Sequence, residues 1–101
     1  MKSQILHHIL QAVSDCCETS PETIQSKCKP TEVLYARTLF VWFCHQYGIC
    51  ANDIARFLNR KHTETIYAYL ANYHIYKRAS ATFRLIAQHI ANKLSATLQE
   101  P

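Results

Sequence analysis

Residues 53–68, Asp-Ile-Ala-Arg-Phe-Leu-Asn-Arg-Lys-His-Thr-Glu-Thr-Ile-Tyr-Ala, carry the densest run of recognition chemistry in this chain. Two short helical patterns meet at a polar turn, Asn59-Arg60-Lys61, and the second is expected to begin near His62. Arg60, Lys61, His62 and Thr63 therefore stand at a helix opening. Such an opening presents unpaired backbone N–H groups and a partial positive charge, which favour phosphate. Cations there add charge, and imidazole and hydroxyl groups are short enough to reach base edges. The chemistry implied is non-covalent recognition of a polyanion. The spacing fits a helix-turn-helix, whose second helix reads the major groove with residues of its first turn.

The charge distribution agrees. The net charge of +4 is modest, but residues 54–84 hold Arg56, Arg60, Lys61, Lys77, Arg78 and Arg84 against Glu64 alone. Basic charge gathered around a candidate reading head is the footprint of a nucleic-acid partner. Catalytic and metal chemistry find less support. Cys44-His45 with Cys50 and Cys28 lacks the close cysteine pair of a zinc knuckle, and Cys44 falls on an apolar stripe. A catalytic Cys–His pair has no recognisable oxyanion donors beside it, and His7 and His8 are adjacent, so they cannot share one helix face. A lone glycine, Gly48, excludes a phosphate-binding loop or a dinucleotide fingerprint. No cofactor, bound nucleotide, metal or catalytic residue is expected. Five cysteines, no signal-like leader and no long apolar run point to a reduced, cytoplasmic protein with no membrane partner.

These residues need a scaffold, and periodicity supplies one. Ile5, Leu6, Ile9, Leu10, Val13 and Cys17 predict an amphipathic helix over 3–18. Ser20-Pro21-Glu22-Thr23 is a helix start, opening a short helix over about 21–27 before Lys27-Cys28-Lys29-Pro30 interrupts it. Thr31 is expected to cap a long helix that stops at Gly48. Its stripe of Val33, Ala36, Phe40, Phe43, Cys44 and Tyr47 is joined by Leu34, Leu39, Val41 and Trp42, so it is apolar nearly all round and should be central. A helix from Asn52 or Asp53 to Leu58 follows, then one from His62 to Ala71 or beyond, with Ile54, Leu58, Ile66, Leu70 and Tyr73 inward. Small Ala55 suits the crossing of these two helices. Ser80 should cap a last helix with Phe83, Ile86, Ala87, Ile90, Leu94 and Leu98 on one face. The expected fold is all-α: a single domain over 1–101, a compact bundle of about six helices, with the helix-turn-helix at about 52–74. The Tyr67, Tyr69, Tyr73 and Tyr76 series has mostly core spacing.

Order and spacing over about residues 5–98 resemble the C-terminal DNA-binding domain of the bacterial replication initiator DnaA, a Trp-repressor-like helix-turn-helix. Val13-Ser14-Asp15 and Ile24-Gln25-Ser26-Lys27 are similar to the opening helices of that family. Val33-Leu34-Tyr35-Ala36-Arg37 sits at the start of its long central helix, and Asp53-Ile54-Ala55-Arg56 resembles its Glu-Ile-Gly-Arg. Arg60-Lys61-His62-Thr63, followed by Ile66 and Ala68, falls on its signature Arg-Asp-His-Thr. The resemblance implies base contact by His62 and Thr63 with Lys61 beside them, and phosphate contact by Arg56 and Arg60. This chain departs from the pattern at three points. Lys61 replaces an acid, Asn59 replaces a Gly-Gly pair, and Tyr35 stands where the first of two arginines probes the minor groove, Arg37 matching the second.

The expected DNA-binding set is therefore Arg37, Arg56, Arg60, Lys61, His62, Thr63, Thr65, Lys77 and Arg78. Arg37 has two other uses open to it, pairing with an acid such as Glu32 or supporting the central helix. Lys77 and Arg78, expected in the connection before the last helix, suit backbone contacts or a solvated loop equally, as do Lys27 and Lys29. The expected partner is double-stranded DNA in replication or transcription control, with room for a protein partner or a second copy. The alternative is a helical interaction module that keeps the fold without reading DNA.

Overall fold

The structure is a computed structural model and describes residues 2–27 and 30–98. Six helices run in order: α1 (Lys2–Cys17), α2 (Pro21–Gln25), α3 (Thr31–Gln46), α4 (Ala51–Phe57), α5 (Glu64–Ala79) and α6 (Ala81–Leu98). The described residues contain no strand. Local chemistry explains most boundaries. Ser20 caps α2 by accepting from the Thr23 N–H at 3.2 Å, with Pro21 at the first helical position. Ser80 caps α6 in the same way, accepting from the Phe83 N–H at 3.1 Å.

Helix ends follow one device used repeatedly. After α3, Gly48 takes φ 84°, donating to the His45 carbonyl, while Ile49 donates back to Cys44, each at 3.0 Å. That is a Schellman closure. Asn59 does the same after α4 at φ 58°. Its N–H reaches Arg56 at 3.1 Å and the Arg60 N–H reaches Ala55 at 2.8 Å. Asparagine tolerates the left-handed region, so one residue does the work expected of a glycine pair. Glu18 ends α1 likewise, at φ 54°.

Four boundaries differ from expectation. Pro30, not Thr31, caps α3, because its carbonyl accepts from the Leu34 N–H at 3.0 Å and Thr31 is already helical. α4 begins at Ala51, one position before Asn52, with Cys50 as its cap residue. The second helix of the pair begins at Glu64 rather than His62, leaving Leu58–Thr63 as the connection. α2 stops at Gln25, and Cys28 and Lys29 lie outside the described residues.

Helix α3 is the hub, packed against α1, α2, α4 and α5. Val33, Ala36, Leu39, Phe40, Val41, Phe43 and Cys44 are all buried along it, as an all-round apolar helix requires. Tyr47 departs from that stripe: it falls at the helix end and is 39% exposed. Ile54, Ala55, Leu58, Ile66 and Tyr73 join the core, with Leu70 partly buried against it. α6 packs along α1 and α5, burying Phe83, Ala87, Ile90 and Leu94. Tyr35, Tyr73 and Tyr76 gather around the Phe83 ring. Trp42 lies flat on Tyr73 at 3.8 Å with the rings 2° from parallel. The tyrosines at core spacing are thus packing residues, as expected, while Tyr67 is 58% exposed.

Candidate nucleic-acid interface

The head of α5 is held from behind by α2. This five-residue helix ends with carbonyls that its own turn cannot satisfy, and side chains of two other elements take them. Arg37, from α3, donates through Nε to the Ile24 carbonyl at 2.8 Å and through a terminal nitrogen to Thr23 at 3.3 Å. Its other terminal nitrogen reaches the Tyr69 hydroxyl on α5 at 3.3 Å. Arg60 donates to the Ser26 carbonyl at 3.0 Å and to the Leu58 carbonyl at 2.6 Å. Gln25 returns a bond to the Phe57 carbonyl at 3.2 Å. Guanidinium groups at a helix C-terminus also meet its partial negative charge. The end of α4 and the first part of the turn, residues 57–60, are therefore tied to the end of α2.

This bracing corrects the expected place of Arg37 in the contact set. It is 1% exposed, so its guanidinium faces the interior and supports the central helix, one of the two other uses open to it. Tyr35 is half-buried against Tyr76 and Phe83. The position of the minor-groove arginine is thus a packing position here. Arg60 is half-buried and committed to carbonyls, so it braces the turn rather than projecting from it.

In front of the brace, Lys61 and His62 are exposed and Thr63 and Thr65 half-exposed. Thr63 occupies the cap position of α5 with no side-chain cap bond, leaving its hydroxyl for a ligand. Glu64 supplies the acid that a first turn favours. Arg56 is exposed on α4 and pairs with Asp53 at 3.0 Å, an exposed i,i+3 contact that a phosphate can displace. Lys61, His62, Thr63 and Thr65 share one end of α5, with Arg56 on the adjoining helix. Beside them, Lys27, Leu34, Arg37, Arg60, Thr65 and Tyr69 line a cavity of about 280 Å³. With Arg37 and Arg60 committed to carbonyls, Lys27 and Thr65 are the lining groups placed to meet an anionic oxygen.

Lys77 and Arg78 stand apart. Both lie in the last turn of α5 rather than in a loop, because nothing after Ala71 breaks the helix and Tyr73 and Tyr76 anchor it. Along the axis they are about 21 Å from Thr63. His74 and Arg84, not expected as site residues, join them around a second cavity of about 500 Å³. Arg84 is drawn in by bonding the Lys77 carbonyl at 2.7 Å. Its spacing in sequence gives no signal of this, since the approach depends on the single-residue joint at Ser80.

Cys16, Cys17, Cys44 and Cys50 are free thiols. Among the described residues, no group of three or more His, Cys, Asp or Glu side chains could hold a metal ion. Burial pushes the Cys17 thiol up to about 12 and raises Cys44 as well, the reverse of a reactive thiolate. No described helix is long and apolar enough to cross a membrane.

Comparison with known proteins agrees with the geometry. No curated protein and no solved structure gives a significant match. A family model described as the bacterial dnaA protein helix-turn-helix matches residues 6–71, from α1 to the middle of α5. That stretch contains the α2 brace, the hub helix and the whole reading head. This chain therefore belongs to the bacterial DnaA helix-turn-helix family of DNA-binding domains.

Proposed function

We propose that the chain binds double-stranded DNA by setting the N-terminal end of α5 into the major groove, in replication initiation or transcription control in the cytoplasm. One observation carries this reading: Lys61 and His62 stand exposed, and Thr63 half-exposed, at the unblocked start of a helix whose connection is braced from behind. Lys61, His62 and Thr63 take base edges, and Thr65 and Arg56 take phosphates on either side. Arg60 acts through the turn it holds. Lys77 and Arg78, about 21 Å up α5, serve backbone phosphates outside the groove. A base-edge contact contributes about 1–3 kcal/mol of discrimination, whereas phosphate contacts add mainly salt-dependent affinity.

Titration of mixed-sequence and selected duplexes across a salt series tests this. Affinity is expected to fall steeply with salt. Arg56→Ala should reduce the slope of log affinity against log salt by about 1. Lys61→Ala and His62→Ala should weaken binding to a selected site by about 1–3 kcal/mol and relax its sequence preference. Weak binding that is flat with salt and indifferent to both substitutions would favour the interaction module that keeps only the fold.

A further inference from the structure

A further concave surface lies between α3, α5 and α6. Its α6 wall is the stripe Arg84, Ala87, Gln88, Ala91 and Ser95, recurring at helical spacing over about 16 Å. The facing wall is the C-terminal end of α3, with Trp42, Phe43, Gln46 and Tyr47. Tyr73 and Lys77 of α5 close the floor and one end, and the cavity has a volume of about 500 Å³. Lys77 and Arg84 also belong to the adjoining cavity with His74 and Arg78. The groove thus has an aromatic wall, a small-residue wall and a cationic end. No acid lines either cavity among the described residues.

We propose that this groove docks an acidic amphipathic helix of a partner protein. Its apolar side chains lie against Trp42, Tyr47 and Ala91, and its carboxylates meet Lys77 and Arg84. Small residues on α6 let a second backbone approach, and apolar anchors spaced along one helix face match a groove of this length. Charge complementarity selects the partner, since the cations gather at one end and nothing opposite in sign lines the walls. Duplex phosphates could use those cations but would leave the aromatic wall empty. A stacking site for single strands is also disfavoured, because Trp42 and Tyr73 are already in face-to-face contact and leave no gap for a base. Tyr73, Lys77 and the whole α6 wall lie beyond the stretch that the family model matches.

The test uses the intact isotope-labelled chain and synthetic helical peptides of about twelve residues, ~18 Å long. One set is apolar on one face with Asp and Glu clustered at one end; a matched set carries Lys and Arg instead. The acidic set is expected to shift backbone amides of residues 42–47 and 84–95 saturably. Arg84→Gln, which keeps hydrogen-bonding capacity, should weaken that binding about tenfold, the usual order for losing a charged contact. Ser95→Trp, placed on the exposed rim, should block it. Ser95→Trp should bind duplex as the parent chain does, since Ser95 lies outside both the reading set and the Lys77–Arg78 cluster. The proposal is overturned if no acidic peptide shifts these amides, if the basic set binds as well, or if Ser95→Trp has no effect. It is equally overturned if an oligothymidine probe takes the groove in preference to the peptides.

Discussion

Arg37 shows how one side chain can matter to a binding surface it never reaches. Its guanidinium ties α3 to the end of α2 and to Tyr69 on α5, so its loss takes the side-chain donor from the Ile24 carbonyl and unties three helices. Arg37→Leu is expected to cost about 2–4 kcal/mol of stability by thermal or denaturant unfolding. The salt slope of duplex binding should stay unchanged, because no phosphate contact is removed. A normal melting curve combined with a shallower slope would restore Arg37 to the contact set. The sequence alone leaves this open, because an arginine near the start of a long helix is as suited to solvent as to a buried brace. What decides it is the set of carbonyls at the end of a helix thirteen residues earlier, which only the tertiary fold brings within reach. The exposed Lys61 and His62 are more legible, since polar residues at a helix opening have few other tasks.

At the level of the elements, boundaries were readable where a cap or a left-handed stop is encoded locally. Ser20-Pro21, Gly48 and Ser80 each act within four residues and behave as expected. The start of α5 was misplaced by two residues because the connection from Leu58 to Thr63 is held by Arg60 and Gln25, long-range bonds with no periodic signature. Its end was undetermined because Tyr73 and Tyr76 carry it on to Ala79 through packing rather than through any stop residue. Asn59 provides the sharpest test of the α4–α5 connection. At φ 58° Asn59→Ala should cost about 1–2 kcal/mol from left-handed strain, lowering the melting temperature by about 4–8 °C per kcal/mol. Asn59→Gly should be close to neutral. Equal melting temperatures for the two variants would contradict the Schellman closure described after α4.

Across the molecule, the core is apolar enough to suppress thiol chemistry. Cys17, Cys44 and Tyr73 are all raised by burial, so the folded state favours their neutral forms. The sign of the linkage follows. Stability from Cys17 is fully present below the ordinary thiol value of 9.0 and is lost as pH climbs toward about 12, and the raised Cys44 thiol acts in the same direction. Denaturant midpoints should therefore fall over that alkaline range while changing little for this reason below it. Alkylation mapped by mass spectrometry should modify exposed Cys50 well before buried Cys44, and equal rates in the native protein would mean that the core opens readily. Fold class and the hub helix follow from the distribution of apolar residues, whereas the α3–α6 groove does not, since it depends on how far two non-adjacent helices diverge. The joint at Ser80 has one more consequence. With a single residue between α5 and α6, no slack separates a load carried on α6 from the tip proposed to enter DNA. Such a load would inherit the rotational phase of the duplex, so moving a binding site by half a helical turn, about five base pairs, should swing it to the opposite side.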